Sequence, residues 1–176
     1  DKNGLSKEAY NFIAGLMKHM RSMTAIINPI VNSYKRLVPG YEAPTYIAWS
    51  ATNRSPLIRV PAARGLGTRV ELRSPDCATN PYLAIAVCLA GLDGIKNNLQ
   101  PVESIQRDIY SMTDEERDEA GIENLPKNLY EAIQEMRKSD FVKGVLGKEV
   151  FKKYIKAKEE EWMEYTSQVT DWEIDR

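Results

Sequence analysis

Residues 44–75 read PTYIAWSATNRSPLIRVPAARGLGTRVELRSP, and their prolines divide the stretch into short apolar runs. Proline has no backbone N–H donor and interrupts helices, so such runs predict loops and short strands. We predict strands at Tyr46–Ser50, Leu57–Val60 and Arg69–Arg73. The surrounding proline-punctuated segment, residues 24–76, is therefore predicted to form a strand and loop region.

The last of these predicted strands has a charged face. Side chains of a strand alternate between two faces, so Arg69, Glu71 and Arg73 lie on one face, opposite Val70 and Leu72. One interpretation is an exposed strand with cross-strand salt bridges. The other is the polar wall of a ligand cavity, and the pattern alone leaves both open.

Helical patterns lie on both sides of this region. The predicted helices begin at Ser6, at Asn80-Pro81, near Leu125-Pro126 and after Gly147. The first covers residues 6–22, with Ser6 as N-cap and apolar residues at helical spacing, and the second runs to about Lys96. Strands followed by helices predict an α+β fold whose C-terminal half, residues 80–176, is helical.

Composition restricts the class of protein. The 176 residues are 43% hydrophobic and 28% charged with a net charge of −1, as in ordinary globular domains. No apolar run approaches the roughly 20 residues that cross a bilayer, so we predict no membrane partner. Cys77 and Cys88 form neither a disulfide framework nor a metal-ligand spacing, and we interpret them as reduced thiols of a cytoplasmic protein.

The near-zero net charge conceals a basic segment. Residues 31–73 contain seven basic residues and only two acids, and six of the seven are arginines. The planar guanidinium group suits bidentate contacts with phosphate or carboxylate. Because no basic tail or nucleic-acid-binding motif accompanies the cluster, we predict a small anionic ligand rather than DNA or RNA.

Six short blocks between residues 32 and 97 are the most specific signal in the chain. They read NSYKRLVPGYEAP (32–44), WSATNRS (49–55), IRVP (58–61), RVELR (69–73), NPYL (80–83) and GLDGIKN (91–97). In this order and spacing they resemble the C-terminal part of the catalytic domain of bacterial type I glutamine synthetases. The chain looks like the feedback-regulated branch that is not adenylylated, because the sequence around Tyr110 differs from that of the modified tyrosine.

The resemblance implies that residues 1–176 are the C-terminal portion of one catalytic domain, with short antiparallel strands of a partial half-barrel packed by helices. It also implies a ligase of nitrogen metabolism. Such enzymes use ATP to phosphorylate the side-chain carboxylate of glutamate, and ammonia then displaces the phosphate to give glutamine. The implied metal is Mg²⁺ or Mn²⁺, and the implied assembly is a cytoplasmic dodecamer of two stacked hexameric rings.

Three residues of this chain match the family's glutamate and ammonia site. Arg36 and Arg73 match arginines that bind the carboxylates of glutamate. Glu42 matches a loop carboxylate that covers the site, attracts ammonium and takes its proton, and is therefore a candidate catalytic residue. The intact run from Val38 to Glu42 favours ammonia over an organic amine as second substrate.

Four further residues match the phosphate and metal site. Arg54 matches the arginine at the transferring phosphate and is the second candidate catalytic residue. Arg59 and Arg69 match arginines near the nucleotide phosphates, and Glu71 matches a carboxylate ligand of the metal at the γ-phosphate. Arginines suit this chemistry, because phosphoryl transfer is catalysed mainly by positioning and by neutralising charge.

Two alternatives stay open at this stage. One is a γ-glutamyl-amine ligase of the same fold, and the other is a non-catalytic segment that binds a transcription regulator or has a structural role. We expect the 176 residues alone to be inactive, because the family's histidine-containing metal block is expected before Asp1. The family's paired metal glutamates and its N-terminal domain likewise have no counterpart in these residues.

Overall fold

Helices make up most of the structure, a computed structural model that describes residues 4–52 and 55–176. The α-helices are α1 (Lys7–Ile27), α2 (Val31–Arg36), α3 (Pro81–Cys88), α4 (Ala90–Lys96), α5 (Asp114–Glu119), α6 (Leu129–Arg137), α7 (Asp140–Leu146), α8 (Lys148–Thr166) and α9 (Asp171–Ile174). Short 3-10 helices lie at Gly65–Gly67 and Ile109–Ser111. The strands are β1 (Tyr46–Ile47), β2 (Trp49–Ser50), β3 (Ile58–Arg59), β4 (Glu71–Leu72) and β5 (Glu123–Asn124). The predicted α+β class with a helical C-terminal half is confirmed.

The first helix begins as predicted but ends later. The Ser6 Oγ accepts a hydrogen bond from the Ala9 N–H at 3.2 Å, which satisfies one of the donors at the helix start. The helix continues to Ile27, five residues beyond the predicted end. It stops at Asn28 because the next residue is Pro29, and a residue before proline is disfavoured in helical conformation.

Helices α1 and α4 pack with their backbones in close contact. A methyl group added at Gly94 would lie 2.7 Å from the Gly15 backbone nitrogen, and one added at Gly15 would lie 2.7 Å from the Gly94 nitrogen. Only glycine at these two positions permits so short a distance between the helices. The contact places α1 at the centre of the core, where Ile13 and Met20 are fully buried.

The C-terminal helices cover the same core. Leu129, Ile133 and Met136 of α6 are fully buried, and Phe151 and Ile155 of α8 join them in one apolar cluster with α1. The helices predicted near residue 125 and after Gly147 thus correspond to α6 and α8. The helix predicted from Pro81 to Lys96 divides at Leu89 into α3 and α4.

Strands β1 to β4 occupy the predicted segments but are shorter than predicted, and β5, Glu123–Asn124, lies outside them. Strands β2, β3 and β4 form a sheet in that order, in which β2 and β3 are parallel and β3 and β4 are antiparallel. Strand β1 pairs with β5 in a separate antiparallel ladder. Prolines at 56 and 61 flank β3 and cannot donate to a ladder, which limits its length.

The described helices do not include a membrane-crossing candidate. Among residues 4–52 and 55–176, no helix combines the length and the apolar character that a membrane span needs. The longest helices, α1 and α8, both carry charged residues along their length.

Candidate active site

A tight turn places Glu42 at the surface. The Tyr41 N–H donates to the Val38 carbonyl at 3.3 Å, and Gly40 has a φ of +86°. Pro39 at the second position and a glycine of positive φ at the third are the requirements of a type II turn. The turn leads into Glu42, whose side chain is exposed, and then into the buried Ala43.

An open cleft of about 650 Å³ lies beside this turn. Its lining residues are Lys35, Arg36, Val38, Tyr41, Glu42, Ala43 and Arg73. The three residues predicted for glutamate and ammonia, Arg36, Glu42 and Arg73, therefore meet at one cleft. Two arginines and one lysine against a single carboxylate make the cleft electropositive, which favours an anionic ligand.

Backbone carbonyl groups orient the two arginines of the cleft. Arg36 donates from Nη1 to the Ser74 carbonyl at 3.0 Å and from Nη2 to the Arg73 carbonyl at 3.3 Å. Arg73 donates from Nη1 to the Pro56 carbonyl at 3.2 Å and from Nη2 to the Glu42 carbonyl at 3.1 Å. Each guanidinium group thus joins separate loops while it faces the cleft.

A buried polar pair supports Arg36 from behind, and sequence reasoning missed it. Asn28 Nδ2 donates to Ser74 Oγ at 3.1 Å, and both residues are fully buried. Asn28 Oδ1 accepts from Arg36 Nη1 at 3.4 Å. Asn28 ends α1 and Ser74 follows β4, so the pair connects the helical core to the cleft. Forty-six residues separate them, and no local pattern signals the contact.

The predicted metal ligand Glu71 is held by arginines. Arg59 Nη1 lies 3.1 Å from Glu71 Oε2, and Arg69 Nη2 lies 2.7 Å from Oε1. Hydrogen bonding to Arg69, and secondarily to Arg59, holds the pKa of the Glu71 carboxyl below its usual value. Arg59 of β3 and Glu71 of β4 are directly opposite each other in the antiparallel pair, so their ion pair is a cross-strand salt bridge, as the salt-bridge interpretation of this strand predicted. Arg73 instead lines the cleft, as the cavity interpretation predicted.

The described residues do not complete a divalent cation site. Hard divalent cations take about six oxygen ligands, and both Glu71 oxygens already face arginines. Within residues 4–52 and 55–176, no group of three or more His, Cys, Asp or Glu side chains is placed to hold a metal ion. Of the described residues, Glu71 could contribute one ligand after release from an arginine.

One predicted catalytic residue cannot be placed. Arg54, predicted at the transferring phosphate, lies outside the described residues, together with Asn53. Arg59 and Arg69, the predicted nucleotide contacts, come together at Glu71 rather than among the lining residues of the cleft. The roles of these arginines stay predictions.

A second cleft, of about 580 Å³, lies on the other side of Glu42. Its lining residues are Gly40, Tyr41, Glu42, Ser55, Arg73, Asp108 and Tyr110. Tyr41, Glu42 and Arg73 border both clefts and therefore form the wall between them. Asp108 and Tyr110 lie far along the chain from the turn, and no local sequence pattern indicates that they approach it.

Comparisons with a family model and with curated relatives point to the same family. The family described as "Glutamine synthetase, catalytic domain" matches residues 1–176. A glutamine synthetase of Clostridium saccharobutylicum is 60% identical over 176 residues, and one of Methanosarcina mazei is 59% identical over 173 residues. These matches cover 99% and 98% of this chain.

Solved structures agree with the sequence relatives. A structure described as a GmaS/ADP complex superposes with a TM-score of 0.85 at 38% identity, and an apo GmaS structure with a TM-score of 0.83 at the same identity. Each match covers 98% of this chain, but 40% and 38% of the respective structures. The chain likewise spans about 40% of the length of the curated relatives it matches.

Proposed function

Since this chain belongs to the glutamine synthetase catalytic-domain family, we propose that its full-length protein forms glutamine from glutamate, ammonia and ATP. The glutamate side-chain carboxylate attacks the γ-phosphorus of ATP and releases ADP. The ammonia nitrogen then attacks the acyl carbon of γ-glutamyl phosphate, loses a proton and expels phosphate.

The observation that carries the proposal is the meeting of Arg36, Arg73 and Glu42 at one electropositive cleft. Glutamate brings two carboxylates, and fixed guanidinium groups bind carboxylates with defined geometry. Arg36 and Arg73 are held by backbone carbonyl groups, so little reorganisation is needed when an anion arrives. We assign the binding of glutamate to these two arginines.

Glu42 serves the ammonia step in this proposal. An exposed carboxylate on a turn can attract ammonium by charge and accept the proton that the nucleophilic nitrogen must lose. By closing over the cleft when the substrates bind, this turn would also exclude water, which would otherwise hydrolyse the acyl phosphate. The contact from Arg73 Nη2 to the Glu42 carbonyl, at 3.1 Å, links glutamate binding to the position of this carboxylate.

The phosphate and metal roles rest on family membership. Arg54, Arg59 and Arg69 would neutralise nucleotide and phosphoryl charge. A divalent cation, for which we propose Mg²⁺ or Mn²⁺, would add positive charge at the phosphates. Glu71 is this chain's contribution to that cation, and the other ligands would come from the rest of the full-length protein.

The setting of the full-length protein is part of the same proposal. We assign residues 1–176 to the C-terminal portion of one catalytic domain, in subunits that form two stacked hexameric rings in the cytoplasm. Feedback control and contact with a transcription regulator are consistent with the branch that the sequence resembles. These assignments draw their support from the family alone.

Steady-state kinetics of the full-length protein tests the proposal. Arg73→Lys keeps the charge but removes the planar fork, so the KM for glutamate should rise by about tenfold or more. Arg137→Lys is a matched control, because Arg137 pairs with Glu159 on the surface of α6 and α8. Its KM for glutamate should equal that of the wild type.

Two results would contradict the proposal. An unchanged KM in Arg73→Lys would remove this arginine from glutamate binding. A wild-type protein that turns over methylamine but not ammonium would replace glutamine synthesis with the γ-glutamyl-amine ligase alternative.

A further inference from the structure

We propose that Tyr110 is a positioning residue for Glu42: its hydroxyl group holds the backbone on both sides of Glu42 and thereby fixes the place of the carboxylate. The contact itself is read from the structure. Its consequence for the ammonia step rests on the proposed function.

The Tyr110 hydroxyl group lies beside the residues that follow the Val38–Tyr41 turn. Its oxygen is 3.4 Å from the Tyr41 carbonyl and 3.4 Å from the Ala43 carbonyl. A phenol has one hydrogen to donate, so the two carbonyl groups share it or alternate in accepting it. Burial raises the pKa of the Tyr110 phenol, which keeps the hydroxyl group protonated as a donor at neutral pH.

Tyr110 is itself firmly anchored. It lies in the 3-10 helix Ile109–Ser111, where Asp108 Oδ1 accepts from the Tyr110 N–H at 3.1 Å. Its neighbour Ile109 is fully buried in a small apolar cluster. The Tyr110 ring packs on the Tyr46 ring with centroids 5.7 Å apart. The hydroxyl group is therefore presented to the turn from a fixed element.

Two side chains together hold three successive carbonyl groups. Tyr110 reaches those of Tyr41 and Ala43, and Arg73 Nη2 donates to that of Glu42 from another direction at 3.1 Å. Arg73 also faces the cleft with Arg36, whereas Tyr110 lies in the second cleft. The Glu42 backbone is thus held at the wall between the two clefts, which fixes the point from which its exposed side chain extends.

A purely structural role for Tyr110 would act through its ring, and the hydroxyl group allows the two roles to be separated. Tyr110→Phe keeps the ring on Tyr46 and removes only the donor. Tyr46→Phe is the matched control, because it removes a hydroxyl group from the neighbouring ring of the same cluster. Neither residue belongs to the proposed substrate-binding set.

The experiment uses the full-length wild-type protein and both variants. Amide hydrogen exchange of the segment 37–45 and the ratio of glutamine formed to ATP hydrolysed are measured in each. In Tyr110→Phe, loss of one hydrogen bond should speed exchange and lower the ratio, each by about three- to tenfold. The KM for ATP and the midpoint of thermal unfolding should stay at wild-type values, and Tyr46→Phe should change none of the four.

Each other outcome is decisive. Unchanged exchange in Tyr110→Phe would overturn the contact. Faster exchange with an unchanged ratio would overturn the positioning of Glu42 for the ammonia step. A wild-type protein that makes no glutamine would overturn the proposed function, and the exchange comparison would still decide whether Tyr110 holds the turn.

Discussion

Two regions of the molecule are stabilised in different ways. One is the helical body, which comprises α1, α3, α4, α6, α7 and α8, and the other is the arginine-rich region, residues 36–73. In the helical body, side chains such as Ile13, Met20 and Ile133 are fully buried, and α1 touches α4 backbone to backbone. In the arginine-rich region the strands are two residues long, and the side chains of Arg59 and Arg69 are 33% and 53% exposed.

The contacts of the two regions differ in energy. Removing a fully buried Leu, Ile or Met side chain costs about 2–5 kcal/mol, whereas an exposed ion pair contributes about 0–1 kcal/mol. The fold therefore depends on buried apolar side chains, to which the arginine-rich region contributes Leu57, Ile58 and Val60, whereas the exposed charges of that region can change with little loss of stability. Such a division suits a site in which Arg59 and Arg69 must exchange their contacts with Glu71 for ligand contacts.

The largest expected effect breaks function and leaves the fold intact. Glu42→Gln keeps the size of the side chain but removes its charge and basicity. In the full-length protein, glutamine formed per ATP hydrolysed should fall by about 10²–10⁴-fold, as when a general base is lost. ATP cleavage should partly survive, because the acyl phosphate still forms and water can reach it.

The control for this variant is Glu119→Gln, an exposed carboxylate of α5 outside both clefts. It should keep the wild-type ratio of glutamine to ATP. Thermal unfolding should be the same in both variants and in the wild type. An unchanged ratio in Glu42→Gln would leave Glu42 as a structural residue of the turn.

A second prediction concerns the stability of the helical body. In Gly94→Ala the new methyl group would meet backbone atoms of α1, among them the Gly15 nitrogen at 2.7 Å, which no side-chain rotation can relieve. We expect the free energy of unfolding to fall by about 1–3 kcal/mol in urea denaturation. The steric clash should therefore outweigh the roughly 0.5–1 kcal/mol by which alanine is favoured over glycine inside a helix.

The matched control is Gly144→Ala in α7. A methyl group there meets nothing within 4 Å, so only the helix preference remains and stability should rise slightly. If the two variants had equal stability, the close contact of α1 with α4 would carry no weight in the fold.

The helical body was also the more predictable region. Helix α1, the start of α3 at Pro81 and the long α8 followed from caps and apolar spacing, which act within a few residues. Helix α2, Val31–Arg36, was not predicted, because six residues between two prolines are too few to show a period. The strands were predicted to be antiparallel, but β2 and β3 pair in parallel, since pairing depends on tertiary contacts that the sequence pattern does not show.

The site was predictable in its residue types but not in its contacts. Family blocks identified Arg36, Glu42 and Arg73, and the structure brings all three to one cleft, although their roles stay predictions. The support of Arg36 by Asn28 and Ser74 is not visible in sequence. Nor is the contact of Tyr110 with the turn, because it joins segments 67 to 69 residues apart.

Each of the two regions contains a carboxylate whose pKa is lowered, Asp93 in the helical body and Glu71 in the arginine-rich region. Asp93 Oδ2 in the helical body lies 2.8 Å from His19 Nε2 and 3.3 Å from Lys18 Nζ. The hydrogen bond to His19, with Lys18 as a further partner, lowers the pKa of the Asp93 carboxyl. A lowered folded-state pKa stabilises the protein above the unfolded value of about 3.9, and this stabilisation is lost as the pH falls through the folded value.

Asp93→Asn should therefore reduce the free energy of unfolding by up to about 1 kcal/mol at neutral pH, discounted for partial exposure, and the difference from wild type should shrink below about pH 4. Glu71→Gln is the counterpart in the arginine-rich region, where Arg69 and Arg59 also lower the pKa of the carboxyl and the side chain is 30% exposed, against 26% for Asp93. Because both carboxylates are partly exposed and paired, its effect on stability should be of similar size and should also shrink as the pH falls. Urea denaturation of the three proteins across the acid range measures both differences. A loss in Asp93→Asn that stays constant down to the lowest pH would show that packing around His19, rather than the charge of Asp93, provides the stabilisation.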